Sequence, residues 1–295
     1  MLQRFLDPAT LASIGGLDLI AKTVVDGFVA GLHRSPDFGF SQEFAEYRAY
    51  SVGDDLRHVD WNVFARTERL NLKRYRGETN TQLLVLLDTS ASMGFGSQPV
   101  NKLDFARFMA ASLVYMANQQ RDAAGLIVFD EEVVNYVPPS TRQGQLFRLL
   151  HAVEKAEVGK RTDFAKPFVH FLTFLHRRSI VVVLSDFYEQ PDIIIKSIEP
   201  LRFKGNEVVL FHVLDPQEIE PKFREPLLLL DMEDKSAIEV SPEYARTEYR
   251  SKIDAHIENL RSTARRAGLD YFLMNTGRPL DEGLREYLSV RQGRL

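Results

Sequence analysis

Two carboxylates and three hydroxyls stand in this sequence at positions suited to hold a divalent cation. The five residues are Asp88, Ser90, Ser92, Thr162 and Asp186. All five offer hard oxygen donors, the ligands that Mg²⁺ prefers at about 2.0–2.1 Å in six-coordinate sites that usually keep some water. Such a set leaves room for a carboxylate from outside the chain. The residues therefore predict a site for Mg²⁺, with Mn²⁺ or Ca²⁺ as alternatives.

The same residue types have a second interpretation. Ser and Asp after a strand often cap the next helix or form a turn, without any metal. Asp163 also has two interpretations. It either joins the metal ligands or stabilises the N-terminus of the helix that follows.

The elements that must position these donors alternate from about residue 80 onwards. We predict strands at 83–87, 125–129, 133–137, 180–184, 207–214, 227–231, 237–240 and 269–274. We predict helices at 102–118, 143–155, 164–177, 192–203, 241–267 and 280–289. Apolar strands alternating with helices indicate an α/β fold, a doubly wound, mostly parallel sheet with helices on both faces. Loops at the carboxyl ends of its strands meet where the winding reverses, which would bring the five donors together.

The first part of the chain has a different organisation. Apolar residues at helical spacing predict a helix at about 10–32, and a stretch of mixed charge follows it. The predicted domains are therefore an N-terminal helical and extended arm, 1–79, and a sheet domain with C-terminal helices, 80–295.

Composition and missing motifs exclude several function classes. The chain has no Cys, which excludes disulfides, thiolate metal sites and a cysteine nucleophile. Its formal charge of −4 argues against a general nucleic-acid binder. The sequence contains no P-loop, no G-x-S-x-G string and no H-E-x-x-H string. No apolar run approaches the length of a membrane span, so we expect a cytoplasmic protein without a transmembrane segment.

The order of the five donors resembles the metal-ion-dependent adhesion site of von Willebrand factor A domains. The segment 121–129 also resembles the third strand of that fold and the residues before it. The resemblance implies that Ser90 and Ser92 bind the metal directly. It implies that Asp88, Thr162 and Asp186 bind it directly or through water. An acidic residue of a partner would take the open position.

A second string narrows the resemblance. The stretch Gly53-Asp54-Asp55 to Asp60-Trp61, with Arg48 and Arg57 around it, resembles the bacterial family called domain of unknown function 58. The resemblance covers about residues 30–240 and implies a von Willebrand factor A-like fold that accompanies MoxR-type AAA+ ATPases. Many of these relatives have N-terminal membrane helices, which are missing from this sequence. The string itself forms either a salt-bridged lock anchored by Trp61 or a partner-binding surface.

The predicted function is a non-enzymatic protein-binding module with no catalytic residues. Its Mg²⁺ would capture an acidic group of a MoxR-type AAA+ ATPase or of a client protein, in assembly or chaperone-like maturation. The alternative is a metal-dependent hydrolase such as a phosphatase, since an Asp at a strand end beside Mg²⁺ is also how aspartyl-phosphate enzymes are built. A structural scaffold with a vestigial site is a third interpretation.

Overall fold

A computed structural model describes residues 7–32, 44–49, 59, 61–75, 82–160, 165–175, 178–230, 232 and 236–292. The chain divides into two compact units, one of Met1–Phe28 with Thr81–Leu295 and the other of Val29–Asn80. The sequence placed residues 1–79 in one arm, whereas this division groups the first 28 residues with the sheet. Their helices bury Leu11, Ile20 and Val24, which the helical spacing had marked as apolar.

The helices and strands follow the predicted alternation. The helices are α1 (Pro8–Ala12), α2 (Leu17–Leu32), α3 (Trp61–Thr67), α4 (Lys102–Gln119), α5 (Gln145–Glu154), α6 (Ala165–Phe174), α7 (Pro191–Phe203), α8 (Pro216–Ile219), α9 (Pro242–Tyr244), α10 (Arg250–Arg266) and α11 (Leu280–Gln292). The strands are β1 (Phe44–Ala49), β2 (Asn71–Tyr75), β3 (Gln82–Asp88), β4 (Ala123–Phe129), β5 (Val133–Ser140), β6 (Ser179–Ser185), β7 (Glu207–Leu214), β8 (Leu227–Leu230), β9 (Ala237–Val240) and β10 (Asp270–Asn275). A short 3₁₀ segment, Ala91–Gly94, follows β3, and a π-helical segment, Ala245–Tyr249, separates α9 from α10.

A six-stranded sheet forms the centre of the first unit, in the order β10-β7-β6-β3-β4-β5. Neighbouring strands are parallel, except that β5 runs antiparallel to β4 at the edge. The structure thus confirms the predicted α/β class with a doubly wound, mostly parallel sheet.

Helices cover both faces of this sheet. On one face α6, α7 and α10 contribute to a buried core that includes Leu84, Phe168, Val183, Ile198 and Leu260. On the other face α4 packs on β3 and β4, and α11 packs on α4 and β10. Strands covered on both faces must be apolar throughout, which is why the central strands appear in the sequence as continuous apolar runs.

The winding of the sheet reverses at β3. The chain proceeds from β3 to β4 and β5 on one side, and then returns to place β6 and β7 on the other side. Leu87 lies opposite Leu184 in the register, so the residues that follow the two strands meet at the same edge. In an open α/β sheet this edge is where ligands bind.

The second unit contains β1, β2 and α3. Phe44 pairs with Tyr75 and Ala49 with Asn71 in an antiparallel ribbon, and α3 begins at Trp61. The residues from Gly53 to Arg57 and Asp60 lie outside the described residues, so the lock and the partner surface both remain predictions.

An exposed hairpin follows the central strands in the first unit. Leu227 pairs with Val240 and Leu230 with Ala237, and all four leucines of β8 are exposed. No helix in the described part of the chain combines the length and the apolar character needed to cross a bilayer.

Candidate metal site

Asp88 is the last residue of β3 and is fully buried at the reversal of the sheet. Its Oδ1 accepts a hydrogen bond from the backbone N–H of Ser90 at 2.8 Å, and its Oδ2 accepts one from the Ser185 hydroxyl at 2.6 Å. The first of these closes the turn after β3, and the second joins the ends of β3 and β6. The carboxylate therefore has one fixed orientation.

The electrostatic surroundings of Asp88 disfavour its charge. Burial and then the nearby charge of Asp186 raise the pKa of Asp88 from 3.8 to about 7, although the hydrogen bonds from Ser185 and Ser90 act in the opposite direction. A buried carboxylate beside a second one gains from a cation that neutralises both. A cation bound at this position would therefore be stabilised by both carboxylates.

Ser90 directly precedes the 3₁₀ segment and Ser92 lies in its first turn. Their hydroxyl oxygens are 3.2 Å apart and share a hydrogen bond, and Ser90 is fully buried. The hydroxyl of Ser90, which precedes that segment, makes no capping hydrogen bond to it. The two oxygens are placed side by side, as a pair of ligands to one ion must be.

Asp186 follows β6 and is paired with a lysine that the sequence analysis did not include in the site. Lys102 is the first residue of α4, and its Nζ donates to Asp186 Oδ2 at 2.8 Å and to Glu218 Oε1 at 2.7 Å. Burial by itself would lower the pKa of Lys102, but the charges of Asp186 and Glu218 outweigh burial and raise that pKa. The lysine is therefore charged at neutral pH.

The residue after Asp186 has a strained backbone. Phe187 has a φ of +48°, in the left-handed region that a bulky side chain rarely adopts. Its N–H donates to the Ser185 hydroxyl at 3.1 Å and its carbonyl accepts from Nε2 of His256 at 3.0 Å, while its ring is fully buried. These contacts hold the strained turn and thereby set the position of Asp186.

A second layer of polar contacts ties the loop before α4 to the end of β7. Asp215 is fully buried, and its carboxylate accepts hydrogen bonds from the N–H and hydroxyl of Ser97 and from the N–H of Gln217. Glu218 Oε2 in turn accepts from the N–H of Asp215 at 2.8 Å, which completes a capping box on α8. Through this box Glu218 is held where it meets Lys102.

Thr162 and Asp163 lie outside the described residues, but the chain leading to Thr162 is anchored at the site. Gly159 N–H donates to the Thr89 carbonyl at 2.6 Å, and Ala91 N–H donates to the Lys160 carbonyl at 2.6 Å. A Cβ on Gly159 would collide with the carboxylate of Asp130, which would have to shift to make room. The place of Thr162 in the ligand set remains a prediction.

The described residues fit a hard cation in their chemistry. They bring together Asp88, Ser90, Ser92 and Asp186, all of which carry oxygen donors. No group of three or more histidine or acidic side chains is arranged to hold a metal among the described residues. That result is compatible with the donor set, because two of its described members are serines.

Sequence reasoning missed Lys102, Glu218, Ser185 and Asp215. One signal for Lys102 was available in the sequence. Lys102 follows Asn101, which caps α4 by accepting a hydrogen bond from the N–H of Asp104. A lysine in the first turn of a helix is unfavourable beside the positive end of the helix dipole, unless acidic groups from elsewhere compensate it.

Comparisons with known proteins relate the chain to one family. Residues 46–274 match the model of a family described as "Protein of unknown function DUF58". The uncharacterized protein Rv1480 of Mycobacterium tuberculosis (strain ATCC 25618 / H37Rv) is 29% identical over 296 residues, which cover 98% of this chain and 92% of that protein.

Solved structures show weaker similarity. An aerotolerance-related membrane protein from Bacteroides fragilis NCTC 9343 is 14% identical with a TM-score of 0.49, covering 71% of this chain and 98% of its own. The SpRpn10 VWA domain is 12% identical with a TM-score of 0.40, covering 70% of this chain and 94% of its own.

Proposed function

The chain belongs to the DUF58 family, and we propose that it is a non-enzymatic protein-interaction module that binds an acidic group of a partner through a divalent cation. Asp88, Ser90, Ser92 and Asp186 would hold the ion together with Thr162. The ion would be Mg²⁺, with Mn²⁺ or Ca²⁺ as alternatives. The partner would be a MoxR-type AAA+ ATPase or its client in assembly or maturation, as the family resemblance implies.

One observation carries the proposal. Two serine hydroxyls lie 3.2 Å apart, directly beside a buried carboxylate, at the edge where the sheet reverses. Together with the carboxylates of Asp88 and Asp186, the two neutral hydroxyls would give a ligand set whose negative charge does not exceed that of a divalent ion, which leaves the ion able to accept an outside carboxylate. A partner's Asp or Glu is the ligand that such an ion would recognise.

The hydrolase alternative has less support from the residues at the site. An aspartyl-phosphate enzyme uses an Asp carboxylate as its nucleophile. The position two residues after Asp88, where such enzymes usually place a second Asp, is Ser90. A binding role is therefore the simpler assignment.

Calorimetric titration with Mg²⁺ and Mn²⁺ tests the proposal. We expect wild type to bind one ion, and Ser90→Ala with Asp88→Ala to abolish binding. Ser112→Ala is a matched control, because Ser112 is a fully buried serine on α4 whose hydroxyl bonds only its own helix at the carbonyl of Phe108. Absence of binding by wild type, or equal binding by the Asp88 and Ser90 variant, would contradict the proposal.

Partner capture needs a second experiment. The protein would be used to pull down a purified MoxR-type ATPase with Mg²⁺ and with EDTA, in wild type and in Asp88→Ala. Retention that depends on both the ion and Asp88 supports the proposal. Turnover of a phosphoester panel that disappears in Asp88→Asn would instead favour the hydrolase.

A further inference from the structure

A fully buried lysine forms part of the candidate metal site. The side chains of Lys102, Asp186 and Glu218 have exposed fractions of 0%, 2% and 12%. Lysine is almost never fully buried without a charged partner. Because removing charges from water offsets most of what they gain by pairing, a buried ion pair contributes little net stability. Stability alone is therefore a weak reason to keep a cation here.

The position of this ammonium is closely defined. Its two acceptors follow β6 and lie on α8, and the ring of Tyr188 lies 4.8 Å from Nζ. The ring of Phe95 lies 5.9 Å away on the other loop of the site. Aromatic faces attract a cation, so the contacts reinforce each other. Lys102 thus supplies a fixed positive charge, unlike a surface lysine that can move into water.

We propose that Lys102 is a resident counter-cation at the site. Its positive charge weakens the binding of the metal ion and strengthens the binding of the partner's carboxylate. The inference rests on the proposed function. With a divalent ion bound, the two cations carry three positive charges against the three carboxylates of Asp88, Asp186 and Glu218. A site without net charge accepts a further carboxylate at lower cost than a site that is already negative. Lys102 thereby weakens metal binding and strengthens the binding of an acidic partner.

Two substitutions should shift metal binding in opposite directions. Lys102→Met removes the resident cation and should raise the affinity for Mn²⁺ on the order of tenfold. Glu218→Gln removes one carboxylate, leaves the pair of Lys102 with Asp186 in place, and should lower that affinity by a similar factor. Titration calorimetry with Mn²⁺ alone measures both changes.

A carboxylate probe measures the other half of the proposal. Acetate is added to the Mn²⁺-loaded protein, and its binding is followed through the relaxation of water protons. Lys102→Met should weaken the binding of acetate and Glu218→Gln should strengthen it, opposite to their effects on the metal. A general loosening of the site would weaken both ligands in both variants.

The double variant Lys102→Met/Glu218→Gln separates charge from position. It has the same net charge as wild type, and of the two carboxylates that pair with Lys102 it leaves only Asp186 without its partner, so it tests the idea even when Lys102→Met alone does not fold. Adding Lys102→Met to Glu218→Gln should restore the Mn²⁺ affinity to within about threefold of wild type. No recovery in the folded double variant would overturn the role of Lys102. Absence of Mn²⁺ binding by wild type would instead contradict the proposed function.

Discussion

Replacing Asp88 with Asn should stabilise the metal-free protein at alkaline pH while removing its ability to bind a cation. The carboxylate of Asp88 is fully buried, and burial together with the charge of Asp186 raises its pKa from 3.8 to about 7. Asn has nearly the same shape but cannot ionise. The substitution therefore removes an unfavourable charge and leaves the packing of β3 unchanged.

The size of the effect follows from linkage. Between about pH 4 and pH 7 the unfolded chain has already lost the Asp88 proton, whereas the folded protein keeps it. The free energy of unfolding thus falls as the pH rises through this window, by about 4 kcal/mol for a pKa that moves from 3.8 to about 7. Rearranging the hydrogen bond with Ser185 costs about 1–2 kcal/mol. Asp88→Asn should gain about 2–3 kcal/mol at pH 8 and lose about 1–2 kcal/mol at pH 4, where only the cost of the hydrogen bond remains.

Urea unfolding in EDTA at pH 4 and pH 8 measures this difference, and a second series with MgCl₂ completes it. Wild type should be stabilised by Mg²⁺ through mass action, and Asp88→Asn should not respond. Asp215→Asn is the contrasting control, since Asp215 is equally buried but accepts hydrogen bonds from Ser97 and Gln217 that the substitution weakens. A metal-free Asp88→Asn protein that is less stable than wild type at pH 8 would refute the reasoning.

The remaining predictions concern a buried histidine and the exposed hairpin. Burial, followed by the charge of His256, lowers the pKa of His212 to about 3, so its contribution to stability is complete above pH 6.5 and is lost as the pH falls toward 3. As the pH falls from 6.5 toward 3, wild type should therefore lose up to about 5 kcal/mol of its free energy of unfolding relative to His212→Gln. A difference between the two proteins that does not change with pH would contradict this prediction. Leu228 is 65% exposed and lies opposite Glu239, so Leu228→Lys should change the free energy of unfolding by less than about 0.5 kcal/mol and should reduce the fluorescence of a bound hydrophobic dye. A loss above about 1 kcal/mol would show that the leucine contributes to packing.

The sheet could be predicted because its strands are buried on both faces. Runs such as 83–87 and 180–184 must be apolar throughout, and a run of that length between loops is typical of a strand. Their observed bounds, Gln82–Asp88 and Ser179–Ser185, differ by only one residue at each end. The break between α1 and α2 was missed because the apolar spacing continues through the residues between them. α1 ends at Ala12, and Gly16, with a φ of +92°, lies directly before the start of α2 at Leu17.

The pairing of Lys102 with Glu218 could not be predicted in the same way. The two residues are 116 positions apart, and no local pattern relates a helix start to a short helix after another strand. Their meeting depends on the return of β6 and β7 beside β3, which places α8 at the edge where α4 begins. Only the order of the strands decides that return.

The sequence by itself determined which oxygen-bearing side chains this protein has at the candidate site, since a D-x-S-x-S string follows one apolar strand and an Asp follows another. Their role as metal ligands stays a prediction. The sequence also determined the fold class, because periodicity and apolar runs are properties of neighbouring residues. The tertiary structure alone decided the electrostatics of the site. Burial raises the pKa of Asp88, and long-range packing brings Lys102 to Asp186. Both effects depend on the exclusion of water by residues distant in the chain, and therefore exist only after the chain has folded.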